Sequence, residues 1–470
     1  MAAKYITLDR TTPMMFPPDL REWVAEDSMV NFIVEAVEML DIRGFEVNER
    51  GSGSPQYPPK MMLSLLIYCY AAGRSSSREI EQATYQDVAV RYICGGNLHP
   101  DHDTICAFRL KNRAAFKSAF CQVLVMAREL GVLKKVGGIS IDGTKIKANA
   151  SKHTAVSYKR AGEMIEQLGQ EIEELIKKAE DADSTPLDDG LILPDEIKRR
   201  KDRKAALEEA RRMMEERYAE VKAEKQREYE EKEADRERQR QNGKKPRGKG
   251  PQPPPNTPPD DQQYNFTDAE SRIMKAGNGK HFEQAYNAQA AVDTAGSMLI
   301  VGQYVTDHAN DKLELESGVA SVDSTIRKVD TVCADTGYFS ENVVSRIEDD
   351  GKGPKVYCAV EKQSHHRTVE DLQKKTEPDT PLPDATVKEV MIYRLKTSAG
   401  RKIYKQRKET VEPVFGIVKT VMGFREFLLR GLKKVSIEWD LATTAYNFKR
   451  LHKLCGGRLA GWSKIQLQNG

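Results

Sequence analysis

The sequence predicts an α/β protein preceded by an all-helical domain and interrupted by a long helical hairpin. Three observations carry that prediction. Residues 15–135 place apolar side chains at helical spacing. Short apolar runs of strand type occur at 136–141 and again beyond residue 285. Between them, residues 154–242 form a dense field of Lys, Arg and Glu with apolar residues three and four apart. The chain thus leaves an α/β domain and comes back to it.

Composition bounds the class. Of 470 residues, 39% are hydrophobic and 32 are Gly, an ordinary globular share that excludes wholesale disorder. Basic residues number 74 against 71 acidic, a net charge of +3, so the total names no partner and the distribution must. The longest apolar candidate, Met61 to Gly73, is too short to span a bilayer and contains Ser64. The opening MAAKYITLDR lacks the apolar centre of a secretory signal. Seven cysteines without CxxC spacing fit neither a disulfide framework nor a zinc ribbon. A soluble, cytoplasmic protein is expected.

In the first domain, Trp23, Val24, Phe32, Ile33, Ala36, Val37 and Leu40 recur at helical spacing, and Met61 to Ala72 predicts a more buried helix. Ser76 followed by Glu79 fits a capping box opening a short helix. Gly95, Gly96, Asn97 and Pro100 mark a turn, after which Asp101 or Asp103 caps a helix carrying Arg109, Lys111 and Arg113. Short helices joined by tight turns suggest a helix-turn-helix-like unit. Val136 to Ile141 then reads as a strand ending in an Asp142-Gly143 turn.

Within the excursion, Ile165, Leu168, Ile172, Leu175 and Ala179 form one apolar stripe. After PLDDGLILP, Leu207, Ala210, Met214, Tyr218 and Val221 form another, predicting an antiparallel coiled-coil hairpin. The following Pro- and Gly-rich stretch reads as a flexible or extended linker; its portion 243–250 holds four basic residues and no acid. Beyond it, strands are expected at 286–292, 298–305 and 329–334, a helix at 311–326, and mostly helix over 408–454. The domains predicted are 1–135 (helical), 136–153 with 264–455 (α/β), 154–240 (inserted hairpin), 241–263 (basic linker) and 456–470 (tail).

Three acids stand out. Asp142 and Asp335 follow apolar strands, and Glu412 is expected at the start of a C-terminal helix, with Thr410 as its cap and Pro413 in its first turn. Converging carboxylates would hold hard divalent cations able to activate water and stabilise the leaving oxygen of a phosphodiester. Each acid also has a plainer reading, as a turn residue or a charge complementing a helix dipole. The surrounding charge favours a phosphate ligand. Residues 401–453 contain thirteen Lys or Arg and five Asp or Glu, net +8. Arg401, Lys402, Lys405, Arg407, Lys408 and Lys419 crowd Glu412, while Lys145, Lys147 and Lys152 crowd Asp142.

Several blocks, in order, resemble the bacterial insertion-sequence transposases of the DDE type, over roughly residues 15–150 and 265–455. SSSREIEQATYQDVAVRYICGG and HPDHDTICAFR resemble that family's helical domain, which marks Arg78 and Arg109 as DNA-facing. ISIDGTKIKANAS resembles the block of the first catalytic aspartate (Asp142), CADTGYFS that of the second (Asp335), and KETVEPVFGIVK the Glu-containing helix (Glu412). YNAQAAVD and DHANDK match intervening strand blocks. One branch carries Tyr, two residues, Arg, three residues, Glu, six residues, Lys. Here Tyr404, Arg407, Glu412 and Lys419 fit with four residues between Arg407 and Glu412, the extra one expected in a loop before the helix. Whether Arg407 or Lys408 meets phosphate stays open. Glu409 is a rival acid, but position 416, where its lysine should fall, is Gly.

The resemblance implies an RNase H-like catalytic fold. It further implies Mg²⁺ (Mn²⁺ substituting), two ions, on Asp142, Asp335 and Glu412, and phosphate contacts from Tyr404, Arg407 and Lys419, to which the charge clustering adds Lys408, Lys145 and Lys147. Its partners would be double-stranded DNA at transposon ends and target, held by a homodimer or larger assembly associated with the nucleoid. A metal nuclease without strand transfer, and a DNA-binding scaffold without catalysis, are the alternatives. The hairpin reads as a dimerisation element or as a DNA clamp. His99, Asp101, His102 and Asp103, like Asp307, His308, Asn310 and Asp311, read as strand-end, turn and cap residues rather than metal ligands. Cys333 reads as a buried strand residue.

Overall fold

The computed structural model describes residues 19–47, 56–182, 193–241, 250–276, 281–360, 377–382 and 385–459. The opening decapeptide, most of the PLDDGLILP break, the basic residues 244–249 and the end of the tail lie outside the described residues, as does the side chain of Ala179. In chain order come helices α1 (Met29–Glu38), α2 (Pro59–Ala71), α3 (Ser77–Gln86), α4 (Val88–Ile93), α5 (His102–Lys111) and α6 (Arg113–Glu129). Strands β1 (Val136–Lys147) and β2 (Ala155–Ser157), helices α7 (Tyr158–Ala182) and α8 (Leu193–Gln241), and strands β3 (Gln263–Asn265) and β4 (Arg272–Ala276) follow. The remainder is β5 (His281–Asp293), β6 (Ile300–Thr306), α9 (Glu314–Ala320), β7 (Lys328–Ala334), α10 (Glu341–Glu348), β8 (Lys355–Cys358), α11 (Val387–Lys396), α12 (Ser398–Gly416) and α13 (Leu432–Leu454). Met1–Ile146 with Asn287–Gly470 forms one compact unit and Lys147–Tyr286 another.

In the first unit, α2 is apolar all round and is buried all round: Met62, Leu63, Leu65, Leu66, Ile67 and Cys69 are inaccessible, and Pro59 occupies its first turn. Asp101 caps α5, its carboxylate accepting from the Thr104 amide at 2.6 Å. The capping box at Ser76 does not form. Ser76 is the N-cap of α3, but its hydroxyl accepts no cap bond; buried Ile80, Ala83 and Thr84 fix that helix instead. A capping box does form at Thr386 and Glu389, at the start of α11. All seven cysteines are free.

The main sheet has six strands in the order β4-β5-β1-β7-β8, with β6 also paired to β5. β1 and β7 run parallel, as do β7 and β8, while β5 is antiparallel to β4 and β6. Two expectations change here. β1 does not stop at Asp142-Gly143 but continues to Lys147. The helix expected over 311–326 is confined to Glu314–Ala320, because Asp323 closes a turn by accepting from Thr325 (2.9 Å from its amide, 2.7 Å from its hydroxyl). Helix α13 buries Trp439, Phe448 and Leu451 and packs on α2, α6 and β6, so this C-terminal helix joins the N-terminal helices to the sheet. Between Val421 and Leu432 the chain is not helical, and Gly423 and Gly431 adopt positive φ (66° and 85°).

In the second unit, β2 and β3 form an antiparallel ribbon, and α7 packs on α8 through Ala161, Leu168, Leu207, Ala210 and Met214. Tyr158 donates to Glu215 (2.6 Å) and Arg200 donates to Glu171 (2.9 Å), so partner numbers fall along one helix as they rise along the other, which makes the pair antiparallel. The linker is not free where it is described. Tyr218 donates to the Pro255 carbonyl (2.9 Å) and Gln262 to the Met214 carbonyl (3.2 Å), laying the Pro-rich chain along α8. Among the described residues, no helix is long and apolar enough to cross a membrane.

Candidate active site

Strand register brings the first two acids together. Ser140 pairs with Cys333 across the parallel β1–β7 ladder, and two residues beyond each stand Asp142, within β1, and Asp335, just past the end of β7, side by side where the ladder ends. Neighbouring strands run ~4.8 Å apart, so the two carboxylates belong to one crevice. Although a fifth of its side chain is exposed, Asp142 is pushed up to about 7 by burial and then by the negative charge of Asp335; Arg407 opposes both. Asp335 also keeps its plainer role, accepting from the Gly337 amide at 2.8 Å to open a short turn over Thr336–Tyr338.

Helix α12 supplies the third acid. It begins at a Thr397 cap, so Glu412 lies near the end of a long helix rather than at the start of one, and Thr410 bonds back to the Gln406 carbonyl instead of capping. Pro413 is accordingly inside the helix. Tyr404, Arg407 and Glu412 share this one helix and Lys419 sits on the π-helical turn that continues it, so the extra residue is accommodated inside helical structure, not in a preceding loop. The length of Arg407 bridges the spacing: its guanidinium is 3.1 Å from Glu412 and 3.5 Å from Asp142. Burial opposes the charge on Arg407, yet the anions around it hold its pKa above the ordinary value. Glu409, the rival acid, is exposed and paired with Lys405 at 3.0 Å.

Lys145 and Lys419 turn inward. Lys419 donates to the Lys145 carbonyl (2.8 Å), and Lys145 lies 3.5 Å from Asp311. Burial lowers the pKa of both. Tyr404 is half-buried, whereas Lys147, Lys408 and Arg78 are exposed. Arg109 is not available to DNA. It is 2% exposed, donating to the Tyr70 hydroxyl (3.0 Å) and the Ser75 carbonyl (3.1 Å), with Glu438 3.9 Å away. A cation on a helix reads as a surface residue, but the Arg109 face of α5 is the packed one.

The sequence reading also missed a polar layer beside Asp142. Asp311 caps nothing: one of its oxygens accepts from Asn287 (2.6 Å) and Gln289 (2.7 Å), and Tyr338 donates to Gln289 (2.6 Å). The signal was present in YNAQAAV, where Asn287 and Gln289 alternate on one face of a strand that is otherwise apolar and buried.

Two family matches bear on this geometry. The Transposase domain family (DUF772) matches residues 18–111, which contain α1 to α5, and the Transposase DDE domain family matches residues 358–452, which contain Tyr404, Arg407, Glu412 and Lys419. The chain belongs to the insertion-sequence DDE transposases. No curated protein and no solved structure matches this transposase. DDE transposase domains in general use divalent metal ions. Among the described residues, no three His, Cys, Asp or Glu side chains lie close enough together to hold one. The donors at the crevice nevertheless fit such an ion: two hard carboxylates on adjacent strands, that of Asp142 raised by burial and then by its neighbour's charge, and the Asn287 Oδ1, buried without a hydrogen-bond partner. Glu412 is the acid held aside, by Arg407.

Proposed function

We propose that this transposase cleaves the phosphodiester at the ends of its element and joins the freed 3′ hydroxyl to target DNA. Asp142 and Asp335 would hold divalent Mg²⁺, with Mn²⁺ substituting and two ions bound, and Glu412 would complete the set. The observation that carries the reading is the placement of Asp142 and Asp335 side by side on neighbouring parallel strands, with Arg407 linking Asp142 to Glu412. When bound, such ions lower the pKa of water and offset charge on the transferring phosphate.

The chain's own groups do the rest. Arg407 presents a planar fork that suits a phosphate as well as a carboxylate, so an incoming scissile phosphate competes for it and frees Glu412. Lys419, held by the Lys145 carbonyl, and Lys145, beside Asp311, offer cations near Asp142. Tyr404 and Lys408 flank Arg407 on α12 and grip the adjoining backbone, which assigns the chain to the branch with the Tyr-Arg-Glu-Lys signature. Lys147 and the exposed Arg78 of α3 extend the DNA contact. We assign residues 1–135 to DNA binding, 136–153 with 264–455 to an RNase H-like catalytic domain, 154–240 to an inserted coiled coil, 241–263 to a basic linker and 456–470 to a tail. Holding two ends at once calls for a homodimer or larger assembly on nucleoid DNA.

The test is a labelled end duplex with Mg²⁺ or Mn²⁺ and the purified full-length chain. Asp142→Asn, Asp335→Asn and Glu412→Gln should each lower cleavage at least about 10³-fold, in keeping with the loss of an electrostatic catalytic group, while DNA binding is retained. Retained cleavage in any of the three overturns the assignment. Cleavage without joined product would favour the nuclease reading.

A further inference from the structure

Gln289 lies on β5 and is wholly buried. Both ends of its carboxamide are committed. Its oxygen accepts from the Tyr338 hydroxyl at 2.6 Å, and its nitrogen donates to Asp311 Oδ1 at 2.7 Å. Its backbone carbonyl accepts from the Trp439 indole at 3.1 Å, which fixes the residue on the opposite side. Each partner leads toward one of the two acids. Tyr338 is the last residue of the short turn that Asp335 opens. Asp311 is the anion facing Lys145, three residues beyond Asp142 on β1. Asn287 donates to the same Asp311 oxygen at 2.6 Å, so that carboxylate is held from two positions of one strand.

We propose that Gln289 is a positioning residue of the transposase site, a two-ended clamp that fixes the Asp335 turn and the Asp142 strand relative to one another. The inference rests on the cleavage reading above and concerns the second layer behind it. A carboxamide is the side chain that can accept from a phenol at one end and donate to a carboxylate at the other. Glu at this position would set a second anion against Asp311, and Leu would leave the Tyr338 hydroxyl buried and unpaired while leaving the Asp311 oxygen to Asn287 and Lys145 alone. The clamp has no bond to the scissile phosphate. Its action is to hold two acids contributed by separate strands in the spacing that the reaction needs, where a misplacement of about 1 Å can cost about 10²-fold.

The test uses the full-length chain on a labelled end duplex with Mn²⁺, in single turnover, for wild type, Gln289→Leu, Gln289→Glu and Tyr338→Phe. Gln289→Leu should lose about 10²-fold in kcat with KM within about twofold, since ground-state DNA binding does not use the clamp. Tyr338→Phe should lose about tenfold, and the double variant with Gln289→Leu should fall no further than Gln289→Leu alone, because the groups act as one unit. A second readout needs no turnover: calorimetric titration of Mn²⁺ into the DNA-free protein should weaken in Gln289→Leu, and Gln289→Glu should not restore either quantity. Should Gln289→Leu fail to fold, Tyr338→Phe decides, since it removes one oxygen only. Unchanged kcat per folded molecule, or losses in the double variant that multiply, would overturn the clamp. A wild-type protein inert on the end duplex sinks the cleavage reading itself, which is a separate result.

Discussion

Gly143 shows how tightly the site is built at the scale of single residues. A Cβ there would stand 2.2 Å from Gln289 Nε2, 2.6 Å from Asp311 Oδ1 and 2.7 Å from Asn287 Oδ1. The glycine is needed for close approach of β1 to the polar layer on β5, not for a turn, which is why the strand runs through it. Gly143→Ala must displace three hydrogen-bonded groups at once. The expected outcome is a stability loss of about 1–3 kcal/mol, the usual range for overpacking, and a far larger loss of cleavage, checked by denaturant melts beside single-turnover assays. Wild-type cleavage by that variant would show that the layer gives way without consequence.

Among the elements, α13 concentrates the buried charge. Glu438 is inaccessible, accepts from the Leu428 and Leu429 amides (3.0 and 2.9 Å) and faces the equally buried Arg109 of α5. Burial pushes its carboxyl up to about 7, against those amides and Arg109. A folded pKa above the unfolded one means that the fold favours the protonated acid. The stabilisation is complete below the unfolded value near 4.5 and is lost as pH rises through about 7. At ~1.4 kcal/mol per pH unit, that is about 3 kcal/mol between pH 4.5 and 7. Glu438→Gln should flatten the fall of stability with pH by about this amount, measured by urea melts from pH 4.5 to 8 on both proteins. Parallel curves would place the titration elsewhere, with Asp440, raised to about 6 by burial, the next group to examine. The same helix protects a sheet margin: Asn447 accepts from the Ile300 amide (2.9 Å) and donates to the Ile300 carbonyl (2.8 Å).

Over the whole molecule a net charge of +3 hides a strong asymmetry, since residues 401–453 alone carry +8. Part of that excess is internal. Arg407 and Lys419 are committed to groups inside the fold, whereas Lys402 and Lys408 are exposed. If the exposed pair meets the DNA backbone, replacing both by Glu should weaken binding uniformly across sequences. It should also reduce the slope of log K against log salt by about 2, close to one for each phosphate contact removed. An unchanged slope, read from fluorescence anisotropy titrations at several salt concentrations, would remove these lysines from the interface.

How much of this was legible beforehand depends on the range of the interaction. The helix over Met61 to Ala72, the strand leading to Asp335 and the buried strand position of Cys333 were legible, because periodicity and apolar runs record local conformation directly. Arg109 was misjudged because a charge in a helix looks the same whether Glu438, hundreds of residues later, covers it or water does. Asp311 was misjudged because capping is the local habit of aspartate, and only the β5 partners reveal another use. The amino-acid order alone decided that the segment from Met61 coils and that the run before Asp335 extends and stops there, since those outcomes follow from neighbours along the chain; it did not decide where β1 ends, which runs through Asp142 to Lys147. Folding alone decided that Arg407 stands between Asp142 and Glu412 and that Gln289 reaches both Tyr338 and Asp311, since strand register and helix docking set those distances across remote stretches of backbone.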